Sequence, residues 1–162
     1  NRSSMLFPSI WIYFPCLLFM IFLGGGQEEF GWRGYALPIL EKKFGIWFAN
    51  IILGIIWAFW HLQLWFITGT SQTYMNFGGF ILLMVGYSFI LSWAKKISGN
   101  KPFSGLYVHG LANSFVAIMP TLTMQKDMPQ TRFWIWVTLT LFIGILITAL
   151  REKKSIKQFE PI

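Results

Sequence analysis

The sequence predicts an all-α fold, a multi-pass transmembrane helical bundle, from its low charge, its grouped apolar residues and its few isolated polar ones. Of 162 residues, 55% are hydrophobic, 19% aromatic and only 12% charged. Soluble domains carry about 25% charged residues, so half that load points to lipid surroundings. Mean hydropathy is +0.55, and the apolar residues fall in runs near the ~20 residues that cross a bilayer. The runs are Phe7–Leu23, Ile46–Ile67, Phe77–Trp93, Phe103–Met119 and Phe133–Leu150, which makes about five spans. A further helix, Gln27–Lys43, is expected between the first two. Helix is the only open choice for such spans, because hydrocarbon cannot satisfy exposed backbone groups.

Each element has its own justification. The first run ends in Gly24-Gly25-Gly26, residues that kink or break a helix, as Pro38 does later. No Ala-x-Ala-like site follows it, which argues against a signal peptide. Its single cysteine, Cys16, excludes an intramolecular disulfide and reads as a packing residue. The start, Asn-Arg-Ser-Ser, is not an initiator, so an N-terminal part is expected to be missing from one domain spanning 1–162. The run from Phe103 contains Ser104, His109 and Asn113 and should therefore face protein instead of lipid.

The net charge of +7 raises nucleic acid as a partner, but its distribution argues against that. Basic residues cluster at Lys42-Lys43, at Lys95-Lys96 with Lys101, and at Arg151, Lys153, Lys154 and Lys157. These clusters occupy every second loop. Thr68–Asn76 has no charge, and Thr121–Thr131 has only Lys126 and Asp127. By the positive-inside rule the clusters are cytoplasmic, which puts the C-terminus on the cytoplasmic side of a cell membrane.

The chemistry lies in the polar exceptions. Glu28, Glu29 and Arg33 follow the first apolar run, and the two histidines, His61 and His109, sit inside later ones. An ionisable group at membrane depth costs roughly 2.5–3.5 kcal/mol, so such groups mark functional sites. A turn at Phe44-Gly45 would fold Gln27–Lys43 against the next span. Glu28 and His61 each lie about 16 residues from that turn, or ~24 Å along a helix, and so reach equal depth. His109 is shallower, and an extended stretch through Pro102–Gly105 would carry it deeper. His109 and Asn113 share one helical face.

Adjacent helical residues point about 100° apart, so Glu28 and Glu29 must divide the labour. Glu29 and Arg33 stand at i and i+4 in the favourable acid-first order. Arg33 is therefore expected to neutralise Glu29, leaving Glu28 to face the histidines as the base that takes a proton from water. The blander readings are interfacial acids at a helix start, and histidine and asparagine as helix–helix glue. They must jointly explain a Glu-Glu-Arg set and both histidines at compatible depths.

Glu28-Glu29-Phe30-Gly31-Trp32-Arg33 resembles the Glu-Glu-x-x-x-Arg motif of the CAAX-protease and bacteriocin-processing (CPBP, or Abi) family of intramembrane proteases. That family includes the type II CAAX prenyl endopeptidases and lysostaphin-resistance-protein-A-like proteins. Trp57-Ala58-Phe59-Trp60-His61 is similar to its Phe-x-x-x-His motif, with Trp57 in the Phe position, and His109-Gly110-Leu111-Ala112-Asn113 to its His-x-x-x-Asn/Asp motif. The resemblance runs from about Phe19 to Met119.

It implies an endopeptidase acting on membrane-associated peptides or proteins, prenylated or not, with membrane lipid as the other partner. It implies that Glu28 and His61 activate water and that His109 and Asn113 stabilise the oxyanion, with Glu29, Arg33 and Trp57 as supporting residues. The Trp57 departure puts substrate size in doubt. The cofactor stays open: Glu28, His61 and His109 supply a three-ligand set for a divalent metal such as zinc, and a metal-free glutamate–histidine mechanism is the preferred alternative. The rival function is a non-catalytic immunity or scaffold protein that binds a partner through the same cavity. A transporter is disfavoured because no inverted repeat is found.

Overall fold

The computed structural model describes residues 10–101, 103–118 and 129–157. The expected helical membrane bundle is the fold found, and among the described residues every regular element is helical. Five α-helices follow in order: α1 (Ile10–Phe22), α2 (Leu37–Trp60), α3 (Phe77–Ile97), α4 (Phe103–Ile118) and α5 (Thr131–Lys157). Between α1 and α2 lie a 3₁₀ turn, Gly26–Glu28, and a wide π-helical stretch, Phe30–Ala36. Lys126 and Asp127 lie outside the described residues.

Three stretches are long and apolar enough to cross a membrane: Trp11–Phe66, Phe77–Ile97 and Thr131–Glu152. By contrast, the described parts of α1 and α4 have 13 and 16 residues. At 1.5 Å per residue they reach about 20 and 24 Å, short of ~30 Å of hydrocarbon. The flanks that would lengthen them, residues 1–9 and 119–128, lie outside the described residues.

The long first stretch is folded on itself. Gly45 has φ 75° and ψ 170°, a left-handed conformation that suits glycine, and it divides α2 into two helical parts. The parts turn back on each other, because Trp57 reaches both Glu28 and Arg33. Leu37, Ala49 and Leu53 form a small core between the arms, with Trp32, Ala36 and Leu40 packed on it. Pro38 does not break the chain. It sits where the π-helical stretch passes into α2, and the wide turn there relieves the clash of its ring with the Gly34 carbonyl.

The second arm ends sooner than its hydropathy suggests. Helix α2 stops at Trp60 instead of running to Ile67, and a 3₁₀ turn, Leu62–Phe66, follows. The His61 side chain is the physical reason. Its Nδ1–H donates to the Trp57 carbonyl at 3.0 Å, the acceptor its own backbone N–H would use in a helix. That N–H turns to the Ala58 carbonyl instead, at 3.1 Å.

Helix α3 is the centre of the bundle. Of its membrane-crossing window 61% is buried, against 28% for α5, and it packs on α2, α4 and α5. Asn76 caps its start by accepting from the Gly79 N–H at 2.9 Å. Small residues let backbones close up: a Cβ at Gly54 would stand 2.5 Å from Val85 Cα, and one at Gly144 would stand 2.7 Å from the Gly86 carbonyl oxygen. Ser88 donates to Asn50 Oδ1 at 3.0 Å in the buried α2–α3 seam. These contacts fix Trp57 in the core with Ala58, Phe80, Leu83 and Met84, and His61 lies edge-on to the Phe80 ring.

Helix α4 is regular from Phe103, so Gly105 is helical and the expected extended stretch is absent there; Pro102 lies outside the described residues. His109 reaches the Trp57 ring without it, at 5.1 Å between centroids. The face expected to meet protein does so, burying Gly105, Leu106, His109, Gly110 and Ser114, while Tyr107 and Leu111 remain exposed.

Candidate active site

The glycine run sets the site's geometry. Gly25 has φ 119°, so α1 stops and the chain turns before Glu28. Gln27 braces the turn: its Oε1 accepts from the Gly25 N–H at 3.0 Å, and its Nε2 donates to the Leu23 carbonyl at 3.1 Å. The two glutamates then diverge, as adjacent helical positions must.

Glu29 points inward and is fully buried. Its Oε1 accepts from Arg33 Nη1 at 2.9 Å and from His109 Nδ1 at 2.9 Å. Arg33 is also fully buried, with its guanidinium 4.4 Å over the Trp57 ring. The i, i+4 pair read from the spacing is thus formed. The tie between Glu29 and His109 is a difference from the sequence reading, which gave both histidines to Glu28. Gly105 explains it: a Cβ there would stand 2.9 Å from Glu29 Oε2, so α4 can lie directly on this carboxylate. Glu29 Oε2, Arg33 Nε and Arg33 Nη2 are buried without a hydrogen-bond partner among the described residues.

Glu28 is half-buried and faces the other way. Its Oε2 accepts from two indoles, Trp57 Nε1–H at 2.8 Å and Trp32 Nε1–H at 3.1 Å. It lines a cavity of about 490 Å³ with Gln27, Gly31, Trp32, Tyr35, Ala36 and Trp60.

Trp57 is the hub. His61 and His109 both lie edge-on to its ring, at 6.1 and 5.1 Å between centroids, while its N–H holds Glu28. A carbonyl can only accept, so His61 carries a proton on Nδ1, and in the neutral ring the lone pair is on Nε2. His109 likewise directs Nδ1–H at the Glu29 carboxylate, which fixes the ring and leaves Nε2 on the side of Gly25. Asn113 Nδ2 donates one hydrogen to the Gly24 carbonyl at 2.8 Å and retains the other. Gly25 closes this corner, since a Cβ on it would meet Asn113 Nδ2 at 2.8 Å and His109 Nε2 at 3.0 Å.

The structure therefore gathers Glu28, His61 and His109 around one indole, joins His109 to Glu29 and Arg33, and sets Asn113 beside the glycine turn. It does not gather Glu28, His61 and His109 as metal ligands. Among the described residues, no three His, Cys, Asp or Glu side chains could hold a metal ion. Glu28 lines a cavity that neither histidine lines, and the carboxylate and the two imidazoles meet the Trp57 ring rather than one another. Zinc does not fit this arrangement, and no step is derived through it.

Sequence reasoning missed Trp32 and took Gly25 only as a helix breaker. Trp32 had a usable signal, because it stands at i+4 from Glu28 just as Arg33 does from Glu29.

A helical membrane bundle with a carboxylate and two imidazoles around one buried ring, and an amide at the adjoining glycine turn, defines a candidate membrane-embedded hydrolase site. The model of the family described as "Type II CAAX prenyl endopeptidase Rce1-like" matches residues 10–157, and the chain belongs to that family. It is also similar to "CAAX prenyl protease 2" of Methanococcus maripaludis, 33% identical over 107 residues, or 62% of this chain and 39% of that protein. The chain thus spans about two fifths of that relative's length.

Proposed function

We propose that the chain is the catalytic core of an intramembrane endopeptidase acting on membrane-associated peptides or proteins of CAAX type. The observation that carries the reading is the Glu28 carboxylate, open to a cavity on one side and fixed on the other to the indole that both histidines flank.

In this mechanism Glu28 removes a proton from water, and the water oxygen attacks the scissile carbonyl carbon. His61 Nε2, an acceptor by its tautomer, orients the same water. The carbonyl oxygen becomes an oxyanion and is met by the second Nδ2–H of Asn113 and by Nε2–H of His109. His109 can serve as that donor only when doubly protonated. Glu29, accepting from its Nδ1, holds the ring in that orientation. Glu28 then returns its proton to the leaving amine as the carbon–nitrogen bond breaks.

The chain is further proposed to be a multi-pass protein with a cytoplasmic C-terminus. Two contacts support a shared end for the basic clusters. Trp47, beside Gly45, donates to Glu152 Oε2 at 2.6 Å, and Ser92, near Lys95-Lys96, donates to Glu41 Oε1 at 3.4 Å. A reporter enzyme active only outside the cytoplasm, fused after Ile162, should be silent; activity would reverse the orientation.

The test of function is cleavage of a prenylated C-terminal tetrapeptide-bearing substrate by the chain in lipid vesicles. Wild type should cleave it and Glu28→Gln should not, with an unprenylated substrate reporting whether the lipid is required. Equal rates for both proteins would remove Glu28 from catalysis and leave a binding role for the cavity.

A further inference from the structure

We infer that Trp57 and Trp32 are positioning residues that clamp Glu28 by Oε2 alone, leaving Oε1 as the oxygen that takes the proton from water. This deepens the proposed function and rests on it. Both indole N–H groups converge on Oε2, at 2.8 and 3.1 Å, from different arms of the folded first stretch. Oε1 receives no hydrogen bond from the described residues, and the carboxylate lines the cavity beside Trp32.

The clamp has consequences a bare carboxylate would lack. An ionised carboxylate beside apolar rings is costly, and two N–H donors on one oxygen offset part of that desolvation. Indole donates and never accepts, so the pair holds Glu28 without competing for the proton it must take up. Rotation about the terminal carboxylate bond would exchange the two oxygens, and two donors from separate arms oppose that rotation. Neither indole is free to drift. Trp57 is pinned under Arg33 and between the histidines, and Trp32 packs edge-on to Trp60 at 6.1 Å.

The position gains meaning from the motif. A phenylalanine at 57 would keep the ring against Arg33, His61 and His109 but would carry no N–H. Trp57→Phe therefore removes the clamp's shorter bond while leaving the packing that a structural role would need.

The test uses the full chain in lipid nanodiscs, with tryptophan ¹⁵N-labelled at Nε1. The indole signals of Trp57 and Trp32 are assigned by their loss in Trp57→Phe and Trp32→Phe. Both should shift in Glu28→Gln, whereas the signal of Trp65, which donates to the Met75 carbonyl, should stay in place. Unmoved Trp57 and Trp32 signals would overturn the clamp, whether or not the chain proves to be a protease. In the cleavage assay, Trp57→Phe should lower kcat about tenfold with KM within about twofold, as expected for one hydrogen bond to a charged group. Trp57→Phe with Trp32→Phe should lower it further, and Trp65→Phe should not change it. An unchanged kcat in the double variant, or a loss confined to KM, would leave the indoles as packing and nothing more.

Discussion

Glu28 and Glu29 are neighbours in the chain and opposites in the fold. Glu29 is sealed inside, with one oxygen shared between a guanidinium and an imidazole, and α4 lying directly on the other. Glu28 is half-buried, held by two neutral donors and open to a cavity. A carboxylate neutralised by a buried cation is spoken for, and moving a proton onto it would strand that cation. A carboxylate held only by N–H donors keeps its charge and can still accept a proton. The pair shows how two identical residues acquire opposite surroundings from one helical step.

The largest effect expected is on the reactive side. Glu28→Gln should cut the cleavage rate about 10²–10⁴-fold, the usual span for removing a general base. Its thermal unfolding in detergent should stay near wild type, because the amide oxygen still accepts from the indoles. A comparable loss of fold would erase the division between the two carboxylates.

Glu29→Ala attacks the scaffold side. It leaves Arg33 buried without its anion and should cost about 3–5 kcal/mol of stability, read from denaturant unfolding in mixed micelles. Activity should fall because the fold falls. If Glu29→Ala instead stayed folded and lost only turnover, Glu29 would belong to the chemistry through His109.

A third variant sharpens the line between the regions. Asn113→Ala should lower kcat by about 10²–10³-fold, the usual worth of an oxyanion donor. Its cost in stability should be small, about one hydrogen bond to the Gly24 carbonyl, or ~1 kcal/mol. The smallest change expected is in Gly25→Ala. Any side chain at φ 119° is strained, by about 1–3 kcal/mol, and this one presses on Asn113 and His109. A drop in kcat of about tenfold, with a lowered melting temperature, is the expected signature. A neutral outcome would show that the glycine turn does not hold the amide in place.

Much of this arrangement was legible in the chain. The i, i+4 spacing put Arg33 on Glu29, and that salt bridge is present at 2.9 Å. The turn at Gly45 brought Glu28 back to the Trp57–His61 end of α2, where Trp57 meets it. The polar segment from Phe103 did turn its small and polar residues inward. His109's partner was not legible, because Glu29 is 80 positions away and local spacing says nothing about which face of another helix it meets. The end of α2 was hidden too: hydropathy continues through Leu62–Phe66, and only a side-chain hydrogen bond from His61 stops the helix.

Composition and local spacing alone established a helical membrane bundle, its folded first stretch and the Glu29–Arg33 pair, and named a short list of candidate groups. These follow from lipid excluding unpaired backbone and from the fixed pitch of a helix, both properties of short segments. Tertiary structure decided that His109 answers to Glu29, that two indoles grip Glu28, and that the prospective ligands do not converge. Those outcomes depend on the rotation and depth of whole helices against each other. Close contacts at Gly105, Gly54 and Gly25 set that rotation and depth, and a linear pattern carries no record of them.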